Sequence, residues 1–143
     1  MKKRTIIALM CCSLILLLAG CGKGKAQTMT LALDSNPTTG YTWTVTQDPE
    51  LFSVGEEYKE NSHEEGMVGV GGQQIFTLAP KGAGTTDVTF TYARPWEDPE
   101  ADSTVVSYTV EVSETMQIKV TAAKSAGGDD INVLPQIPEP TVK

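Results

Sequence analysis

Acyl or glycosyl transfer needs a nucleophile, a base or a carboxylate pair brought to one point, so the residues able to supply them come first. The sequence holds one histidine, His63, followed by Glu64 and Glu65. Side chains at adjacent positions rarely converge, so this group reads as a solvated acidic loop rather than a metal site. His63 is also the only base available to a Ser-His-Asp triad, and no Gly-x-Ser-x-Gly elbow exists. Asp and Glu total 18, but no spacing among them singles out a pair for glycoside chemistry. Gly69-Val70-Gly71-Gly72 lacks the Gly-Lys-Ser/Thr ending of a phosphate loop, and no helical pattern follows it. No catalytic residue, metal ligand or cofactor is assigned, and the expectation is a protein that is not an enzyme.

Three segments carry residue types suited to binding instead. Asn36-Pro37-Thr38-Thr39-Gly40-Tyr41 is a tight-turn sequence. Asn bonds its own backbone, Pro fixes φ and Gly permits φ > 0. It reads equally as a connecting turn or as a stiff, narrow tip that loses little entropy on binding. Gly69-Val70-Gly71-Gly72 reads as a flexible turn, or as a stretch whose missing side chains admit a partner's backbone. Met67 and Val68 precede it as apolar side chains that could fill a pocket. Arg94-Pro95-Trp96 places a large aromatic in an acidic loop with Glu97, Asp98, Glu100 and Asp102. That Trp either folds back onto a core or acts as a binding anchor, since Trp and Arg dominate binding hot spots.

One residue lies in a covalent processing motif. Lys2, Lys3 and Arg4 precede an apolar stretch over 6–18, too short to span a hydrocarbon core of about 30 Å. The stretch ends in Leu18-Ala19-Gly20-Cys21, which resembles a bacterial lipobox. The expectation is a signal peptide over 1–20, a lipid on Cys21, a short tether over 21–27, and an exported chain held at a membrane surface. Cleavage removes Lys2, Lys3 and Arg4 and takes the formal net charge from −7 to −10. Cys11 and Cys12 leave with the leader, so the mature chain holds a single Cys and forms no internal disulfide. The acidic balance argues against nucleic acid, whose phosphates need a basic stripe.

The elements that must position the three segments are strands. Met29, Leu31 and Leu33 alternate onto one face, as do Tyr41, Trp43 and Val45, with Thr42, Thr44 and Thr46 between the latter. Phe76 and Leu78 follow, then Val88, Phe90 and Tyr92, then Val106, Tyr108, Val110 and Val112, then Met116, Ile118 and Val120. Residues 52–59 form a weaker strand pattern through Phe52, Val54 and Tyr58. No helical stripe appears after residue 20. The fold class expected is all-β, an immunoglobulin-like antiparallel β-sandwich of about seven strands over 28–122. Residues 123–143, with Gly127, Gly128 and three prolines, are expected to be a mobile tail with one short paired segment near 131–134. If each connection reverses the chain, the loops at 35–40, 60–72 and 93–104 gather at one end. The shorter ones at 47–51, 79–84 and 113–115 gather at the other. The three unusual sequences then share one edge, where a rigid scaffold can present them.

NPTTGY, GVGG and RPW, in this order on a β-rich exported chain, resemble the chagasin family of cysteine-peptidase inhibitors, over roughly residues 28–112. The resemblance implies an immunoglobulin-like fold with three loops forming a wedge, and tight, reversible inhibition of papain-like cysteine peptidases by a monomer. It implies that Thr38 and Thr39 sit beside the enzyme's catalytic Cys and His, with Asn36, Pro37 and Gly40 shaping the tip and Tyr41 completing the motif. Gly69, Val70, Gly71 and Gly72 would lie along the non-primed side, and Val68 would enter the specificity pocket. Trp96 would stack on the primed side with Pro95 and Arg94 beside it. The alternative is a lipid-anchored immunoglobulin-like surface module that binds another protein or a glycan through the same edge. The chain departs from the family in lacking a strand before Met29. The 116–121 segment is expected to fill the missing edge position.

Overall fold

The computed structural model describes residues 24–98, 103–127 and 137–143. The leader, Cys21 and the paired segment expected at 131–134 lie outside them. Among the described residues eight strands form: β1 (Met29–Ser35), β2 (Thr42–Asp48), β3 (Phe52–Glu60), β4 (Gly72–Pro80), β5 (Gly84–Ala93), β6 (Thr104–Val112), β7 (Ile118–Gly127) and β8 (Thr141–Val142). They build two four-stranded antiparallel sheets, ordered β3-β4-β1-β8 and β2-β5-β6-β7. The chain is an all-β sandwich.

Strand alternation sets the core. Met29 lies opposite Leu78 and Leu31 opposite Phe76 in the first sheet; Val88 lies opposite Tyr108 and Phe90 opposite Val106 in the second. All eight side chains are at most 1% exposed. Phe76 and Phe90 meet across the sheets with ring centroids 5.0 Å apart. Full burial of such a side chain stabilises by about 1.5–3 kcal/mol, so this layer carries the fold. β3 is the outermost strand of its sheet, and only its first residue, Phe52, is buried. Val54 and Tyr58 stay 36% and 41% exposed, which is why the alternation there is weak. Glu56, Glu57 and Glu60 on that edge discourage further pairing.

The C-terminal part differs from the expectation. β7 begins at Ile118 rather than 116, because Met116 closes a turn at φ 58 with its N–H donating to Ser113 O at 2.9 Å. It then continues to Gly127, so the boundary expected at 122/123 falls inside a strand. Opposite the Thr109–Val110 step β7 carries one extra residue, Thr121, which breaks the side-chain alternation of β7 while β6 keeps its own. Small, exposed Ala122 and Ala123 then carry no period-2 signal. The last residues return to the sandwich as well. Ile137 packs on the core, the Tyr108 hydroxyl donates to Pro138 O, and Thr141–Val142 pairs with Thr30 and Met29. β7 thus takes an edge of the second sheet beside β6, while the strand beside β1 is β8.

Antiparallel pairing sorts the loops into two poles. The β1–β2, β3–β4 and β5–β6 connections lie at one pole. At the other, Lys81 N–H donates to Leu51 O at 2.7 Å. There the Lys81 ammonium also pairs with Glu50, which lowers that carboxyl's pKa by hydrogen bonding first and charge second.

Candidate functional site

The first loop is stiffened by its own side chains. Asn36 Oδ1 accepts from Thr38 N–H at 3.3 Å and from Thr38 Oγ1 at 2.6 Å. Pro37 opens a single turn of 3-10 helix, Pro37–Thr39, closed by Thr39 N–H to Asn36 O at 3.1 Å and Gly40 N–H to Pro37 O at 3.0 Å. The Thr39 hydroxyl donates to Asn36 O at 2.7 Å. Gly40 ends the turn at φ 84, the left-handed region that disfavours a β-carbon. Pro37, Thr38 and Thr39 remain exposed at the tip.

The other two loops are bonded to this one. Asn36 Nδ2 donates to Gly69 O at 3.2 Å, joining the β3–β4 loop. Arg94 Nε donates to Thr39 O at 3.2 Å, joining the β5–β6 loop. The Arg94 guanidinium lies 4.5 Å above the Tyr41 ring and contacts Glu97 Oε1 at 3.0 Å. The Trp96 ring closes over Gly40 so tightly that a β-carbon there would lie 2.5 Å from the ring. Trp96 is nonetheless 70% exposed, so it is an edge residue and not a core one. Val68 and Met67 project from the middle loop at 94% and 58% exposure. The edge therefore combines two small hydroxyl side chains, an exposed aromatic and an exposed aliphatic pair on one hydrogen-bonded platform.

Residues below the edge hold it in place. The Tyr92 hydroxyl accepts from Asn36 N–H at 3.1 Å. Its ring packs 5.2 Å from Tyr41 and 4.9 Å from Trp43. Trp43 is buried and donates from Nε1 to Asp34 O at 2.9 Å. Gln74, 3% exposed, takes both backbone groups of Trp43: its Oε1 accepts from the N–H at 3.1 Å and its Nε2 donates to the carbonyl at 2.9 Å. Sequence reasoning missed Tyr92 and Gln74. Tyr92 alternates with Val88 and Phe90 and reads as core; its position two residues before Arg94 was the available signal. Gln74 gave no apolar signal to draw attention.

Gly72 plays a different part from the one expected in the Gly-rich loop. It is buried at the start of β4, where an added β-carbon would lie 2.3 Å from Lys59 O. Its missing side chain accommodates the chain's own β3. His63 faces Glu60 at 3.5 Å and Asn61 O at 3.1 Å within the exposed β3–β4 loop. The Asn36–Pro37 and Arg94–Pro95 bonds are trans, the cis bond among the described residues being Asp48–Pro49.

A rigid sandwich that presents three loops at one pole, two of them hydrogen-bonded to the first, is a scaffold for binding through that pole. Comparison with known proteins gives the class a family. The chagasin family peptidase inhibitor I42 domain matches residues 24–112. The chain belongs to the chagasin family of peptidase inhibitors, and it is an inhibitor rather than an enzyme. It is 32% identical to amoebiasin-2 of Entamoeba histolytica over 57% of this chain and 68% of that protein. Identity to chagasin of Trypanosoma cruzi is 35%, over 51% and 70% respectively. The crystal structure of the cysteine protease inhibitor EhICP2 from Entamoeba histolytica is 35% identical, with a TM-score of 0.43 over 49% of this chain. That overlap spans 65% of the EhICP2 chain, just under two thirds.

Proposed function

We propose that the chain is a reversible, tight-binding inhibitor of papain-like cysteine peptidases that occludes the active-site cleft with this edge. The supporting observation is the bonding of the other two loops to the Asn36–Gly40 turn, which orders the edge before any partner arrives. In this reading Thr38 and Thr39 enter beside the catalytic Cys and His. Gly69, Val70 and Gly71 run along the non-primed side, Val68 enters the specificity pocket, and Trp96 with Pro95 covers the primed side. Arg94 works chiefly from within, by fixing the Thr39 carbonyl and the Tyr41 ring.

The turn also accounts for resistance to cleavage. A scissile peptide must lie extended with its carbonyl open to the attacking sulfur. The Thr38-Thr39 peptide instead belongs to a 3-10 turn, and the carbonyl of the next peptide, Thr39-Gly40, already accepts from Arg94. The tip is bound without reaching attack geometry. Pre-ordering lowers the entropy cost of association, so high affinity needs no covalent bond. The lipid at Cys21 and export are part of the same proposal, with the chain acting as a monomer.

The test titrates residues 22–143 against papain and a panel of cathepsins, with a serine peptidase as control. Stoichiometric, reversible loss of cysteine-peptidase activity alone is expected. No inhibition by folded protein refutes the proposal and favours a surface module for another protein or a glycan.

A further inference from the structure

We infer that the lipidated chain stands on its membrane with the binding edge turned away from the bilayer, so that it meets peptidases arriving from the aqueous phase. The inference rests on the lipid proposed for Cys21; the rest comes from the fold. Cys21 lies three residues before Gly24, and the chain from there is fastened to the pole opposite the loops. Gln117 Nε2 donates to Lys25 O at 3.1 Å and Gln27 N–H donates to Met116 O at 3.0 Å. Gln27 Oε1 accepts from Ile118 N–H at 2.7 Å. Thr28 exchanges backbone bonds of 2.9 and 3.1 Å with Lys143.

Met116 and Gln117 belong to the β6–β7 connection, and the nine residues of β6 separate it from the loops. That is roughly 30 Å at about 3.3 Å per residue. The three residues between the lipid and Gly24 reach at most about 10 Å. The attachment is thus short against the height of the sandwich and rooted at its far pole. Charge opposes a domain lying on its β3 side. β3 and the loop after it carry Glu56, Glu57, Glu60, Glu64 and Glu65 against the single Lys59, which an anionic lipid surface repels. At the far pole Lys25, Lys81, Lys119 and Lys143 sit among the acidic residues and moderate that repulsion.

The two tryptophans supply the probe, since Trp96 is exposed at the edge and Trp43 is buried. Residues 21–143 contain all eight strands and one thiol, Cys21, which adds across the double bond of a maleimide phospholipid. The coupled protein is placed on anionic phosphatidylcholine–phosphatidylglycerol vesicles with and without headgroup-nitroxide lipid. With the buried Trp43 contributing to every sample, emission of the unsubstituted chain is expected to be unchanged by the nitroxide, whereas the emission that Glu114→Trp adds over Trp96→Phe alone is mostly lost. Papain added in solution is expected to associate equally fast with coupled and free protein. Quenching of Trp96 as strong as at position 114 overturns the orientation. A separate experiment addresses the anchor: cells expressing the full chain are fed an alkyne fatty acid, with Cys21→Ser as control. Absence of label on the unsubstituted chain overturns the anchor, and the inference with it, whatever the vesicles report about geometry.

Discussion

Gly40→Ala tests whether the edge works as one bonded unit. The substitution deletes nothing and adds one methyl group at φ 84, 2.5 Å from the Trp96 ring. A β-carbon in the left-handed region costs about 1–2 kcal/mol. The free protein relieves that strain and the clash by shifting the turn or swinging Trp96 outward, so binding must restore both. Loss of a seated aromatic anchor costs about 2 kcal/mol or more. The sum, about 3–4 kcal/mol, raises the dissociation constant on the order of 100- to 1000-fold. Stopped-flow association and jump-dilution kinetics against papain provide the assay. Gly82→Ala serves as control, because no atom lies within 4 Å of its added methyl. A double-mutant cycle with Trp96→Ala locates the effect. If the methyl acts through the indole, adding Gly40→Ala to Trp96→Ala costs only the backbone strain. Full additivity of the two substitutions, or an unchanged constant for Gly40→Ala alone, would refute the reasoning.

Trp96→Ala should speed dissociation more than it slows association, since short-range anchors act mainly on the off-rate; if both rates stay the same, Trp96 is no anchor. Tyr92→Phe keeps the packing on Trp43 but strips the Asn36 N–H of its acceptor, a loss of about 1 kcal/mol and roughly a fivefold weaker complex. Equal affinity, measured beside a thermal melt, would show that the tip is not held from below. The acidic chain should associate faster with basic peptidases, and the rate should fall as salt is raised; a salt-independent rate excludes steering. Burial raises the Tyr108 pKa to about 12, so the unfolded state ionises first. The stability it contributes is fully present below about pH 10 and is lost as pH rises towards 12. Base titration should therefore unfold the domain in that window, and the tyrosinate absorbance developing near pH 12 should vanish in Tyr108→Phe.

How much of this was legible in the sequence depends on which force fixes each element. Where burial on one face decides, period-2 alternation states the answer, and Met29, Leu31 and Leu33 or Val106, Tyr108 and Val110 are buried as read. Where an edge strand is exposed on both faces, as β3 is past Phe52, half the signal is lost. Where a register shift interrupts the alternation, as within β7, the signal vanishes and a strand reads as tail. The site divides in the same way. Its exposed members announced themselves by type, because a Pro-fixed tip and a Trp among acids need an explanation that a core does not supply. Its supports did not, because Tyr92 looks like any alternating aromatic and Gln74 like any surface amide. Only the fold shows that Gln74 takes the two backbone groups of Trp43 and that Tyr92 reaches the first residue of the tip. The stiffness of the edge thus originates in residues that need never touch a peptidase. Substitutions there should weaken inhibition while leaving the contact surface chemically intact.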